Sequence, residues 1–366
     1  MTHVSDVIVI GGGIAGIGAA AHLSSAVQVT VLEAEGAIGH HSTGRSAAIF
    51  IKNYGNSTLR KLNAASEPFL MNPAGVCDET LLTPRGQLLI ANADEVDEWE
   101  AYLEGSDGME RLTPAQAVDL VPILKPDQLA AVAYEGAAQD IDVDRLLQGY
   151  ARKLRRDGGH IALNAAVETI TYENGQWTIT ASGQTYQAPV VVNAAGAWAD
   201  HIAQKAGVAT VGLVPMRRSA AIIPAPDGHD VSRWPMVASA ANSFYAKPEA
   251  GKIMVSPADE DPVEPHDAWA DDMVLAEGLH RYEQAVTSPV TRVEHNWAGL
   301  RSFVADRSPV AGFAPSAQGF FWLAAQGGYG VQTAPAMSQL AADLILNRTP
   351  ALDAQVVQAL SPERFH

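Results

Sequence analysis

The chain has 366 residues, 47% of them apolar, and a net charge of −17 from 24 Lys plus Arg against 41 Asp plus Glu; it is long enough for one large domain or two interleaved ones around a sizeable core. The acidic balance repels nucleic acid and anionic lipid, so no polynucleotide partner is expected. No apolar run reaches the roughly 18 residues of a membrane span and no basic segment precedes the first apolar strand, so neither a transmembrane segment nor a signal peptide is expected and the protein should be cytoplasmic.

Asp6 to Glu33 reads DVIVIGGGIAGIGAAAHLSSAVQVTVLE. Val7 to Ile10 form a β-branched run typical of a strand buried on both faces. Gly11, Gly13 and Gly16 fit G-x-G-x-x-G; an Ala-rich helix from Ile14 to Leu23 and a second apolar run, Val27 to Leu32, follow before Glu33. Gly11 permits the sharp turn, Gly13 lets a pyrophosphate approach the backbone, and Gly16 lets the helix pack on the strand. The helix start at Ile14 and Ala15 offers N–H groups to phosphate. Glu33, followed by Ala34, stands at the spacing of an acid that accepts hydrogen bonds from ribose hydroxyls. Strand, turn, helix, strand and acid together predict a dinucleotide site.

Ala34 to Ala48 reads AEGAIGHHSTGRSAA, a Gly-rich loop that becomes Ala-rich and is predicted to lead into a helix. His41, Ser42, Thr43, Arg45 and Ser46, with Ala47 and Ala48, place a dense set of donors and small residues directly after the nucleotide-binding unit. His40 and His41 are adjacent, where they cannot face one ion as helix neighbours four apart can, and no metal is assigned. Tyr54 sits on the loop after Ile49 to Asn53, and Asn56 or Ser57 caps a helix that carries Leu59, Leu62 and Phe69 inward. Cys77, the only cysteine, excludes an internal disulfide and a C-x-x-C redox pair, and reads as a small buried hydrophobe.

From Leu81 to Ala91, two short apolar runs flank Pro84-Arg85-Gly86-Gln87 and predict a hairpin. Thr113-Pro114-Ala115-Gln116 is a capping box with proline at the first helical position. Asp142 caps a helix with Leu146, Leu147, Tyr150 and Leu154 at core spacing, ended by Gly158-Gly159. Strands Ala166 to Tyr172, containing Val167, and Trp177 to Ala181 are joined through the hairpin signal Asn174-Gly175. Pro189 to Asp200, PVVVNAAGAWAD, is a second buried strand running into a glycine turn, where Ala194, Ala195 and Gly196 leave room for a ring system and Trp198 follows. The same small residues also suit plain helix packing.

Val214 to Pro224 alternates as a strand, with Met216, Arg218, Ala220 and Ile222 on one face and Arg217 on the other. An arginine on an otherwise apolar face needs an anion, either a ligand or an internal Asp or Glu. Asn242 to Lys247, with Tyr245, and Lys252 to Ser256 read as strands. Asp272 to Thr287 reads as a helix burying Leu275, Leu279, Tyr282 and Val286. After Ala298-Gly299-Leu300-Arg301 comes a strand, Gly319 to Ala325. A third glycine loop then follows: Gln326, Gly327, Gly328, Tyr329, Gly330, Val331, Gln332 and Thr333. Thr333 with Pro335 marks a helix start, and such an end stabilises negative charge on a reduced cofactor ring. No second strand–G-x-G-x-x-G–helix unit appears, so no separate nicotinamide domain is expected.

GGGIAG with Glu33, HHSTGRSAA, NAAGAWAD, GLRSFVAD and AAQGGYGVQT resemble, in this order and over nearly the whole chain, the FAD-dependent amine oxidoreductases of the D-amino-acid oxidase superfamily, within it most nearly the bacterial D-arginine dehydrogenases. The resemblance implies an α/β fold with mixed α+β character. In it, a Rossmann-like FAD-binding domain (1–80, 143–208 and 297–366) is interleaved with a substrate domain on a mixed sheet (81–142 and 209–296). It implies FAD, here expected to be noncovalent because Cys77 lies outside every glycine loop. By similarity, Tyr54 on a mobile loop, Arg218, Tyr245, Arg301 and the backbone at Gly328 surround an amino-acid substrate, with Gln87, Ile49 and Gln332 as further contacts. Arg301 and Tyr245 hold its carboxylate, with Arg218 near the same end.

Two departures shape the expected substrate. Gln87 stands where enzymes tuned for cationic side chains place an acid, and Ile49 where a histidine is often found; the pocket should therefore favour neutral D-amino acids. The implied reaction is oxidative deamination of D-amino acids to imino acids by hydride transfer to flavin N5, followed by hydrolysis to 2-oxo acids and ammonia. A quinone or another acceptor takes the electrons, with the protein at the inner-membrane surface if that acceptor is a quinone, and as a monomer or homodimer. An oxygen-using D-amino-acid oxidase or a glycine- or sarcosine-type oxidase is the alternative. A 2-hydroxy-acid enzyme and a noncatalytic nucleotide-binding module with Arg218 and Arg301 in internal salt bridges are further readings.

Overall fold

A computed structural model describes residues 2–365. Its central element is a six-stranded sheet in the order His160–Ala162, Val29–Leu32, Val7–Ile10, Val190–Asn193, Phe320–Ala324, Val310–Phe313. The first five strands run parallel and the last is antiparallel. Alternation divides its two faces. Val7 and Val9 pack under the helices Ile14–Leu23, Ser57–Met71, Val143–Arg156 and Gly330–Ile345, against Ile17, Leu62, Tyr150 and Leu340. Ile8 and Ile10 face the other way, onto Trp177, Ile179 and Trp322. Both faces are apolar because both are covered, as the β-branched run predicted.

The hairpin at Asn174-Gly175 is present, joining Val167–Glu173 to Gln176–Ala181 in a four-stranded sheet. Both turn residues have positive φ, 53° and 81°, as a two-residue turn of this twist requires. Asn56, not Ser57, caps the helix Ser57–Met71, accepting from Leu59 N at 3.0 Å. The capping box at Thr113 and the cap at Asp142 both form.

A nine-stranded sheet supplies the second large layer. Along it lie Asp261–Pro262, Val214–Ile223, Lys252–Ser256, Tyr245–Glu249, Met236–Ser239, Gln87–Ala91, Ala131–Glu135 and Met109–Leu112, and His295–Phe303 pairs with Val214–Ile223. Residues in register on neighbouring strands share a face. Arg301 pairs with Met216, Arg218 with Gly299, Tyr245 with Ala238, Met236 with Gln87, and Gln87 with Glu135. One face of this sheet thus carries arginines at one end, an apolar middle, and Gln87 and Glu135 at the other.

Four expectations are corrected here. Leu82–Pro84 and Gln87–Ala91 form no hairpin, because the first joins a three-stranded sheet with Ile49–Phe50 and Gln139–Ile141 and the second joins the nine-stranded sheet. Between them, the Arg85 guanidinium is drawn to Asp140 and to the carbonyls of Ser232 and Trp234, and Gly86 turns at φ 75°. The HSTGRSAA loop runs into the strand Ile49–Phe50 rather than a helix. The last long helix begins at Gly330, with Thr333 already in its first turn and its hydroxyl bonded back to Tyr329 O at 2.9 Å. Cys77 is half-buried, its thiol donating to Glu79 O at 3.1 Å. Among the described residues, no helix is long and apolar enough to cross a membrane.

Candidate active site

A cavity of about 480 Å³ runs between the carboxyl ends of the parallel strands and the charged face of the nine-stranded sheet. Its cradle is built from the first strand–turn–helix. Gly11 turns at φ 110°, and a Cβ there would lie 2.3 Å from Ala194 O. A Cβ on Gly16 would lie 2.0 Å from Gly11 O, so this residue sets the helix-to-strand distance and does not itself line the cavity. The helix Ile14–Leu23 starts at Gly13, which offers no side-chain cap; Thr43 Oγ1 takes the Ile14 N–H, and the positive end of the helix dipole faces the cavity. Glu33, buried, accepts from Gly12 N at 2.6 Å and Glu35 N at 2.8 Å.

The other two glycine turns complete the walls. Ala194, Ala195, Gly196 and Trp198 line the cavity beside Ala166 and Val167, and Gly327, Gly328, Gly330 and Val331 close its far end with Gln326. The HSTGRSAA segment contributes His41, Ser42, Thr43, Arg45, Ser46 and Ala47. It is anchored: Thr43 Oγ1 accepts from Ile14 N at 3.0 Å, Ser42 donates to Leu300 O at 2.6 Å, and the His41 ring packs at a tilt against Trp198. Ala34, Ile14 and Ala15 also line the space. Ala48, Tyr329, Gln332 and Thr333 do not. The Arg45 guanidinium turns away to Asp267 and the carbonyls of Ala268 and Ala298. The turn after Gly39 also brings Glu35, His40 and His41 donor atoms within 4.8 Å of one another, an approach their adjacency in sequence had argued against.

At the end next to Gly328 the polar side chains converge. Arg301 lies against Gly328, where a Cβ would meet its guanidinium at 2.7 Å, and donates to the Tyr54 hydroxyl at 3.3 Å. Arg218 lies over the Tyr245 ring, 6.0 Å from its centroid. Burial disfavours the Arg301 charge, but the Tyr54 and Tyr245 oxygens and Glu260 outweigh it and lift its pKa above the usual arginine value. Burial also works against ionising Tyr245, yet Arg301 and Arg218 hold its pKa below the usual tyrosine value. Tyr329, packed at a tilt against Tyr54, is pushed up to about 12 by burial and by Tyr54.

The Tyr54 loop is held from beneath. Asn63 Nδ2 donates to the carbonyls of Ile51, Lys52 and Tyr54, and Gln332, rather than facing the cavity, exchanges hydrogen bonds with Ile51 and Asn63. Glu135 accepts from Lys52 N at 3.0 Å while burial pushes its carboxyl up. Gln87 is buried with Oε1 unpartnered, and neither it nor Ile49 lines the cavity. Ile49, Ile51, Met236 and Ala238 pack instead with Tyr54 and Tyr245 as an apolar wall. Arg217, on the opposite face from Arg218, is satisfied internally by Asp259 and Asp261.

Residues that line the cavity but escaped the sequence reading include Gly12, Trp297, Ser302 and Gln326. Gly12 was legible as the middle of the glycine triplet. Trp297, whose indole donates to Arg45 O at 3.0 Å, carried no local signal.

The fold and cradle define a dinucleotide-dependent oxidoreductase class in which a parallel sheet holds the nucleotide and a mixed sheet roofs it. A family model for FAD-dependent oxidoreductases (DAO) matches residues 6–344, and the chain belongs to that family. The chain is 26% identical to FAD-dependent oxidoreductase domain-containing protein 1 of Bos taurus, over 93% of this chain and 81% of that protein. It is 23% identical to a glycine oxidase of Geobacillus kaustophilus, over 96% of each. The crystal structure of L-proline dehydrogenase from P.horikoshii superposes with a TM-score of 0.84 at 22% identity, over 100% of this chain and 98% of that one, a likeness of fold. The cofactor is FAD, and the residues present suit it: a helix start facing the cavity with glycine at its N-cap, Gly11 and Gly16 where a Cβ would strike a carbonyl, an acid fixed at the second strand's end, and the buried, unpartnered Gln326 Nε2 on the cavity wall.

Proposed function

We propose that the chain is a FAD-dependent dehydrogenase of D-amino acids with neutral side chains, yielding imino acids that hydrolyse to 2-oxo acids and ammonia. The observation that supports it most is the convergence of Arg301, Arg218 and Tyr245 at the cavity end bounded by Gly328, with the Tyr54 hydroxyl behind them accepting from Arg301. The bound FAD supplies the two-electron acceptor. Arg301 takes the substrate carboxylate, where a guanidinium fork fixes orientation as an ammonium does not; the Tyr245 hydroxyl donates to the same group, with Arg218 near the same end. Tyr54, packed at a tilt against Tyr329, covers this end and keeps water out. The substrate amine releases its proton to solvent on binding, so the residues' work is positioning and desolvation. The layer packed behind Tyr54 and Tyr245, made of Ile49, Ile51, Met236 and Ala238, is apolar and offers no partner to a charged side chain, which favours neutral ones. In this reading, residues 1–80, 143–208 and 297–366 hold FAD, and 81–142 with 209–296 hold the substrate.

Use of a quinone or another acceptor rather than oxygen belongs to the same proposal. The match to a glycine oxidase over nearly the full length of both chains favours one second reading, an oxidase acting on D-amino acids, glycine or sarcosine. Turnover of a panel of D- and L-amino acids, glycine and sarcosine with an artificial acceptor, run beside an oxygen electrode, separates them. The proposal expects D-amino-acid turnover with little peroxide. Peroxide equal to substrate consumed favours the oxidase, and no turnover across the panel rejects both.

A further inference from the structure

We propose that Glu260 is a specificity-determining residue: its carboxylate neutralises Arg218, leaving Arg301 as the one guanidinium free for substrate and so matching the site to molecules with a single carboxylate. The inference rests on the reading that this end of the cavity receives the substrate carboxylate.

Arg218 and Arg301 are diagonal neighbours. Arg218 is in register with Gly299 and Arg301 with Met216 on the paired strands Val214–Ile223 and His295–Phe303, so both side chains rise from one face into one cavity. Two adjacent guanidiniums with no internal partner suit a ligand carrying two negative charges, such as a dicarboxylate. Here one of them is already engaged. Arg218 donates through Nη2 to Glu260 Oε1 at 2.9 Å and through Nε to Asp259 O at 2.7 Å. Arg301 has no carboxylate within ion-pair distance among the described residues, and its hydrogen-bond partner is the Tyr54 hydroxyl.

The segment that delivers Glu260 is fixed independently. Ala258 turns at φ 55°, and the Asp259 carboxylate accepts from Ser219 N at 2.6 Å and Ser219 Oγ at 2.8 Å, which pins the chain beside Arg218. Glu260 also faces outward. Both its oxygens accept from Arg307 Nη2, at 3.0 and 2.9 Å, and the Arg307 guanidinium lies 3.8 Å from the centroid of the Phe303 ring. The carboxylate is thus shared between a cation inside the cavity and an exposed one outside it. Removing Glu260 adds net positive charge to the site, whereas removing Arg307 adds net negative charge. The two changes should act on carboxylate binding with opposite signs, which a merely supporting role for this cluster does not produce.

The test uses the FAD-loaded protein and two probes, propionate and succinate, with Kd read from the change in flavin absorbance, beside KM and kcat for D-alanine and D-aspartate. Glu260→Gln is expected to tighten propionate about threefold and succinate about tenfold or more. It should also lower KM for D-aspartate relative to D-alanine. Arg307→Gln should weaken both acids, and Glu260→Asp, shorter by one methylene, should fall between wild type and Glu260→Gln. The proposal is overturned if Glu260→Gln leaves the succinate-to-propionate ratio unchanged, if both variants weaken binding together, or if neither acid perturbs the flavin in any variant. Failure of the functional reading looks different: no amino acid is turned over by the wild type, while the Kd ratio still decides the role of Glu260.

Discussion

The two ends of the cavity are built on different principles. The nucleotide cradle is made of absence: Gly11, Gly12, Gly13, Ala194 and Ala195 bring the backbone to the cavity wall, and at Gly11 and Gly16 a single added carbon would strike a carbonyl. The end beside Gly328 is made of charge gathered from far apart in the chain, with Arg218, Tyr245 and Arg301 on three strands of one sheet face and the Tyr54 hydroxyl reaching Arg301 from a loop. At Gly11 and Gly16 the cradle tolerates no added carbon. The other end has room, and its behaviour depends on which cation meets which anion. Substitutions in the first should therefore abolish cofactor binding or folding, and those in the second should change kinetics at nearly constant stability.

The largest effect is expected in the cradle. Gly16→Val places carbon atoms on Gly11 O and should give protein that is insoluble or purifies without flavin, as read from the absorbance spectrum. Arg301→Ala comes next: kcat/KM for the best D-amino acid should fall about a thousandfold, roughly 4 kcal/mol, with thermal stability and flavin content retained. A loss of flavin in that variant would erase the distinction between the two ends.

Asn63→Ala tests whether the Tyr54 loop belongs to the rigid or the tunable part. It removes the donor shared by three loop carbonyls, one buried and two part-buried, and should cost about 2 kcal/mol, seen as a lower Tm, with KM raised. Tyr245 gives a pH signature. Because Arg301 and Arg218 hold its pKa below the usual tyrosine value, the phenolate forms at lower pH than in a free tyrosine and repels the substrate carboxylate. KM should therefore rise with pH through that ionisation, and Tyr245→Phe should remove the rise while increasing KM about tenfold at neutral pH. Cys77→Ser, half-buried and remote from the cavity, should change stability by less than about 0.5 kcal/mol.

The same contrast explains what the sequence disclosed. Glycine turns are local, so a cradle made of G-x-G-x-x-G, NAAG and QGGYG could be read from short windows, and even Glu33 announced itself by spacing. The alternation of Val214 to Pro224 likewise separated Arg218 from Arg217 and posed the right question about their anions. What no window contained was the answer: Asp259, Asp261 and Glu260 return from beyond three intervening strands to pair with them. The turn at Arg85-Gly86 looked like a hairpin because apolar runs flank it, yet the ion pair to Asp140 and the register with Gln139–Ile141 send its two arms to different sheets. Gln332 was expected as a substrate contact by similarity to the family. The helix, starting three residues earlier than the Thr333 signal implied, turns its amide toward Ile51 and Asn63 instead.

The central claim is that a small zwitterion, anchored by Arg301, passes two electrons to the bound FAD. Anaerobic titration of the yellow holoprotein with neutral D-amino acids examines this without regard to the natural acceptor. Loss of the oxidised flavin absorbance in the wild type, slowed by orders of magnitude in Arg301→Ala, is the predicted result. A spectrum that stays oxidised with every D-amino acid, or one that bleaches equally fast in both proteins, would contradict it.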